Sequence, residues 1–275
     1  MSNHFKKNSI FYLVSVLIFS FFTFWWIFLK LQDLDASRNA RQLWGATYQI
    51  LSLYGGIIGL IISQKWGGIR SLVGKVIFAF SSGLLLQVIG QSYSSFYVFH
   101  YHVESPPYPA VGDIGFFGSV VSYIYAVIQL SRVSGFRSKI KKAGNKVIII
   151  AVPLIILIST YGYFLSGYSF DWTSKVLILL DFGYPLGQAF YVSIAILVLI
   201  MSQKILGGVM RKPILFLTLG LIFQYFSDVY FLYEAHKGAW YVGNVNDYLY
   251  CISYFIMTLA IISMGKSFNE IQESQ

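Results

Sequence analysis

Residues 9–29 read SIFYLVSVLIFSFFTFWWIFL, twenty-one successive positions without a charged side chain. A helix rises about 1.5 Å per residue, so roughly 20 apolar residues cross the ~30 Å hydrocarbon core of a bilayer. This stretch is long enough. A short basic segment with Lys6 and Lys7 precedes it. A cleavable signal peptide has an apolar run of only about 7–15 residues, followed by small residues at the cut. Here the run ends in Trp25-Trp26-Ile27-Phe28, and it is expected to remain as an anchor.

The rest of the chain has the same character. Of its 275 residues 56% are hydrophobic and only 11% charged, whereas a soluble domain carries about 25% charged residues to cover its surface. Eight spans are expected, over residues 9–29, 43–63, 72–98, 111–130, 147–166, 176–201, 214–233 and 248–264. The third is diluted by Ser81, Ser82, Gln87, Gln91 and Ser92. All must be helical, because an open strand would leave backbone groups unpaired in lipid. The expectation is a single all-α, polytopic transmembrane domain. The one cysteine, Cys251, lies in an apolar run, which excludes an intrachain disulfide and predicts a small buried residue.

The net charge of +9 would suit nucleic acid, but the basic residues are placed otherwise. With eight spans, fifteen of the 20 Lys and Arg residues fall on the side of the two termini and five on the other. The richest segment, Arg132 to Lys146, also holds Arg137, Lys139, Lys141 and Lys142. Positive-inside bias puts that loop and both termini in the cytoplasm of a plasma membrane, and no nucleic-acid partner is expected. The loop's role is topogenic, or it docks a partner or anionic lipid. Trp44, Trp172 and Trp240 fall at outer span boundaries and Trp66 at an inner one, as expected of interfacial rings.

A motif recurs along the later spans. Asp113-Ile-Gly115-Phe116 opens the fourth, Asp181-Phe-Gly183-Tyr184 lies near the start of the sixth, and Asp247-Tyr-Leu-Tyr250 opens the eighth. A tyrosine follows ten residues after the acid in the first two copies, Tyr123 and Tyr191. Spacings of 68 and 66 residues imply parallel copies of a helical hairpin. The hairpin around Gly45 and Tyr48 lacks the acid. Gly55 and Gly59 form a small-xxx-small pair suited to close helix contact, within the bundle or in a homodimer.

Carboxylates within spans are costly and face a bundle interior or water. Asp181 and Asp228 lie inside spans, Asp113 and Asp247 at outer ends, so all four belong to the outer half. Gln87 and Gln91 share a helix face, as do Gln224 and Asp228. Asp181, Tyr184, Gln188 and Tyr191 form one stripe. These groups converge on one level, which makes them candidate ligand-binding residues, with Asp113 and Asp247 at the rim. Each also has a structural reading: Asp113 and Asp247 as helix N-caps, the others as interhelical hydrogen bonds. Pro153 and Pro185 are expected to kink their helices, the latter loosening backbone near Asp181.

His100, His102 and Glu104 alternate in an outer loop, where an extended segment would aim them at one metal, with Glu234 and His236 to complete it. No cofactor motif is present. No late span carries a lysine for a retinal Schiff base. No phosphate-cradling glycine loop, His-Glu-x-x-His helix or Gly-x-Ser-x-Gly elbow occurs. The four histidines lie in the N-terminus and outer loops, so enzymatic activity is not expected.

Pro109-Ala-Val-Gly-Asp113-Ile-Gly-Phe116, Leu180-Asp181-Phe-Gly-Tyr184-Pro185 and Asn246-Asp247-Tyr-Leu-Tyr250 carry a resemblance, joined by Ser227-Asp228-Val-Tyr230 and the loop Lys237–Asn244. From about Pro106 to Met264 the chain resembles multi-pass membrane sensory modules that precede bacterial GGDEF, EAL or histidine kinase output domains. Those modules carry Pro-Ser-x-Ala-Asp-x-x-Tyr-Leu, Asp-x-x-Tyr-Pro and Asp-x-x-Trp/Tyr segments. The resemblance implies a sensor, and with about ten residues after Met264 it implies signalling through a separate partner. A small solute, ion or proton transporter or channel would use the same acids, and a structural or assembly role is the third reading. Alkaline phosphatase fused after Asn244 is expected to be active and after Lys146 or Gln275 inactive. Activity at Gln275 would overturn the even span count.

Overall fold

A computed structural model describes residues 2–33, 37–103, 107–135, 143–162, 172–201, 208–237 and 239–273. Among them no strand occurs, and nine α-helices account for the regular structure: α1 Ser2–Lys30, α2 Arg38–Thr47, α3 Ile50–Lys65, α4 Leu72–Tyr101, α5 Gly112–Val133, α6 Ala143–Thr160, α7 Lys175–Met201, α8 Arg211–His236 and α9 Val245–Glu273. Glu104, residues 136–142 of the basic loop and residues 163–166 of the expected fifth span lie outside the described residues.

Seven helical segments are long and apolar enough to cross a membrane, α2 and α3 counting as one pass over Arg38–Lys65. The expected fifth span is represented by Val147–Thr160, an apolar helix below that length. The second span is not one helix. At Tyr48–Gln49 the Gln49 side chain donates to the Ala46 carbonyl at 2.8 Å, a local competitor for the helical ladder. Hydropathy also understated α4 and α9, because apolarity marks where lipid ends and a helix can run beyond it.

The reversal between α3 and α4 is made by Gly67 and Gly68 at φ 88° and 57°, backbone that residues with a Cβ rarely adopt. Ser71 then caps α4, accepting from the Gly74 N–H at 2.9 Å. Such a tight turn sets α3 and α4 side by side. Beyond them α5, α7, α8 and α9 each pack on the next, and α9 returns to α3, so six helices close a ring.

With α2 counted as part of the α3 pass, two helices stay outside it. On the α9 side, α1 is held by Tyr12 to Ser263 at 2.6 Å and by Trp26 donating to the Gly243 carbonyl at 3.0 Å. Those contacts at opposite ends make α1 antiparallel to α9. Its outer face is apolar, with Phe24 72% exposed, as a lipid-facing helix requires. Against α7, α6 packs with Ile150, Ile155 and Ile158 turned outward; its Thr160 pairs with Tyr225 of α8 at 3.0 Å. Trp44 departs from the interfacial role expected of it. It is fully buried, and its indole donates to the Phe22 carbonyl at 3.0 Å; position along a span says nothing about which way a ring points. Trp66 likewise bonds the Met264 carbonyl at 3.1 Å.

Small residues bring the ring helices together. Gly55 lies against Thr258 and Leu84, and Gly59 against Ser81 and Ile261, so the small-xxx-small pair is used inside the chain. The closest approach joins α4 to α5. A Cβ on Gly115 would stand 2.5 Å from the Gly90 nitrogen and 2.6 Å from the Leu86 carbonyl oxygen. Both are backbone atoms that cannot move aside. Gly115→Leu should therefore cost about 3 kcal/mol in unfolding from detergent micelles. Gly162→Leu, where a Cβ would meet nothing within 4 Å, should change little.

Candidate functional site

The ring is lined unequally along its length. Towards the end holding the Gly67–Gly68 turn its interior is filled by Ile62, Ile77, Leu130, Val198, Leu217 and Ile261, all nearly inaccessible. The hydroxyls there are satisfied by backbone: Ser63 donates to Gly74, Thr218 to Ile214 and Ser81 to Ile77, each within 3.0 Å. Polar side chains concentrate towards the opposite end.

Asp228 is the centre of that polar region. It stands one turn beyond Gln224 on α8, and the two share a helix face. Gln224 is 2% exposed while Phe226 is 55% exposed, so the carboxylate points into the ring. Three helices supply its partners. Gln188 of α7 donates at 2.6 Å, Tyr250 of α9 donates to the other oxygen, and Gln224 hydrogen-bonds it from α8. Unlike Gln188 and Gln224, Asp228 keeps some accessible surface. Ser253 donates to the Gln224 oxygen at 3.3 Å.

A second knot lies beside it. Gln87 of α4 donates to Ser119 of α5 at 2.7 Å and accepts from Tyr254 of α9 at 3.1 Å. Tyr254 stacks with Tyr48 and with Tyr250, at ring separations of 6.1 and 6.3 Å. Tyr123 and Tyr191 meet edge to face at 5.9 Å. Both are completely buried, and neither hydroxyl has a partner. The oxygen of the Gln188 side chain is also unpartnered. Nearly all buried polar groups in folded proteins are hydrogen-bonded, and in lipid the penalty is larger. Three exceptions around one carboxylate mark this place.

No family model, curated protein or solved structure matches this chain. The site must therefore be read from its own chemistry: one carboxylate, amide donors and acceptors, and a wall of tyrosines.

The sequence-predicted residues divide into a centre and a rim. Asp228, Gln87, Gln188, Gln224 and Tyr191 reach the ring interior. Tyr184 donates to Asp113 at 2.8 Å, tying α7 to the start of α5, and Asp113 also accepts from the Ala110 N–H at 2.8 Å. Gln91 donates to the Gly45 carbonyl at 3.1 Å, an interhelical tie. Asp181 accepts from Tyr108 at 2.9 Å, at an exposed position. Asp247 lies in the first turn of α9 and accepts from the Gly243 N–H at 2.7 Å and from Asn246 at 3.1 Å, so it ties the preceding loop to the helix and is not the N-cap expected of it. Pro185 lies within the continuous α7 and has no N–H to donate along the helix.

The alternating His100-x-His102 geometry is not realised. His100 is in the last turn of α4, stacked on Phe96 at 5.3 Å, and His102 ends the helix with φ 53°. Among the described residues no group of three metal-ligating side chains occurs.

Tyr250, Tyr254, Tyr123 and Ser119 belong to the site and were not among its expected members. The repeat could have revealed Tyr123, since it holds the place of Tyr191 one copy earlier. Tyr250 and Tyr254 share one face of α9. The two kinds of tyrosine should behave oppositely on loss of the hydroxyl. Tyr250→Phe removes a bond to a carboxylate and should lower stability by about 2 kcal/mol, whereas Tyr191→Phe should leave it level or raise it by up to about 1 kcal/mol. Thermal unfolding of the detergent-solubilised protein checks both, and a destabilised Tyr191→Phe would show that its hydroxyl is satisfied.

Proposed function

We propose that this chain is a non-enzymatic membrane sensory or ligand-binding module, with both termini cytoplasmic in a plasma membrane and output through a separate protein partner. The observation that carries this is the polar centre itself. A carboxylate inside the ring stands beside three buried groups, Tyr123, Tyr191 and Gln188, whose hydrogen-bonding capacity is incompletely used. A structure that needed these groups only for packing would be more stable with phenylalanine and leucine there. A binding site needs them free.

The resemblance to membrane modules of bacterial signalling proteins agrees with this reading. Its segments contribute Asp113, Tyr184, Asp228 and Tyr250, all in or at the rim of the polar region. The segment Arg132–Lys146 would offer a docking place for a cytoplasmic partner or anionic lipid.

The lining of the ring favours binding over transport. A transporter opens its site alternately to both sides, whereas here the interior beyond the tyrosine layer is packed with aliphatic side chains whose few hydroxyls bond backbone. Proteoliposomes holding the full chain should thus show no proton or sodium flux above protein-free vesicles, and Asp228→Asn and Asp181→Asn should change nothing. Flux that disappears in either variant would replace the sensor by a transporter.

A further inference from the structure

We infer that the polar centre takes a small organic ammonium ion, with Asp228 as its counter-charge and tyrosine rings as its walls. This rests on reading that centre as a binding site.

Charge decides the class. A carboxylate in a medium of low polarity is held by a cation or by dense hydrogen bonding. Among the described residues, the groups acting on Asp228 are Tyr250, Gln224 and Gln188, all neutral. Lys30 acts on Asp247 instead. An anionic ligand would set a second negative charge beside the first. A neutral one would leave the Asp228 charge offset by those three hydrogen bonds alone. A cation supplies the charge that the protein omits.

The walls select further. Tyrosine ring faces are negative and attract cations, and Tyr123, Tyr191, Tyr250 and Tyr254 come from three helices around the carboxylate. All four hydroxyls are within electrostatic reach of Asp228. The unpartnered groups then separate ammonium types. Gln188 Oε1 can only accept, and the Tyr123 and Tyr191 oxygens can accept as well. A primary ammonium has three N–H donors for such acceptors, whereas a quaternary ammonium has none.

The test uses the purified full chain in detergent and follows thermal unfolding. Four probes are titrated at equal ionic strength: n-butylammonium chloride, n-butanol with sodium chloride, sodium butyrate, and sodium chloride alone. The expected result is a saturable rise in Tm with n-butylammonium only. Asp228→Asn should abolish it, and Tyr191→Phe, which keeps the ring, should weaken the apparent affinity about fivefold. If Asp228→Asn fails to fold, Tyr191→Phe carries the comparison. A saturable response to n-butanol or butyrate without one to the ammonium would overturn the cationic ligand while leaving a binding site in place. An equal response to sodium chloride would replace the organic ion by an inorganic one. Should no probe move Tm, in wild type or variants, the ammonium inference and the binding reading fall together.

Discussion

A backbone or side-chain polar group surrounded by hydrocarbon has no water to turn to, and each one left unpaired costs several kcal/mol. The arrangement of this chain follows from that constraint. The helices satisfy the backbone, and the ring collects the polar side chains. Asp228 is the extreme case. A single acid at the centre of a span costs about 3 kcal/mol even by the mildest scale, and α7, α8 and α9 each contribute a donor to hold it. These bonds fix the mutual rotation of the three helices. Gln87 does the same for α4, α5 and α9, through Ser119 and Tyr254.

Because the outer surface of the ring must be apolar, its inner surface is free to be graded. At one end aliphatic side chains interdigitate and glycines let helices approach, as at Gly265 against Ile62. At the other, tyrosines replace them. A tyrosine fills volume like phenylalanine and adds one hydroxyl that seeks a partner. Tyr250 and Tyr254 find theirs, while Tyr123 and Tyr191 do not. The two helices outside, α1 and α6, contribute little to this interior. Their contacts, such as Trp26 on Tyr248 at 4.3 Å, stabilise the ring from its flanks.

The membrane character was legible because it is a matter of length and apolarity, as in residues 9–29. The candidate residues on α7 and α8 were legible because helical spacing joins Gln188 to Tyr191 and Gln224 to Asp228. What spacing cannot give is the partner across the gap. Nothing in the sequence says that Asp181 meets Tyr108 at the surface, or that Trp44 turns inward to Phe22. Nor does hydropathy separate ring helices from flanking ones: α1 is among the most apolar and lies outside. Closure of the ring between α3 and α9 is a tertiary fact. It depends on Gly55 and Thr258, which lie 203 residues apart and belong to no common motif.

The repeat supplies the last link between sequence and site. In successive copies of a parallel hairpin the same position faces the same way, so Tyr123 on α5 and Tyr191 on α7 both turn into the ring and meet edge to face. The three motif acids have different partners: Asp113 binds Tyr184, Asp181 binds Tyr108, and Asp247 accepts from the Gly243 N–H. Each repeated acid is thus engaged at or near a helix start. Asp228 is different. It belongs to no copy of the motif and has tyrosines from α5, α7 and α9 around it. Three helices supply the tyrosines, and one carboxylate outside the recurring motif sets the chemistry among them.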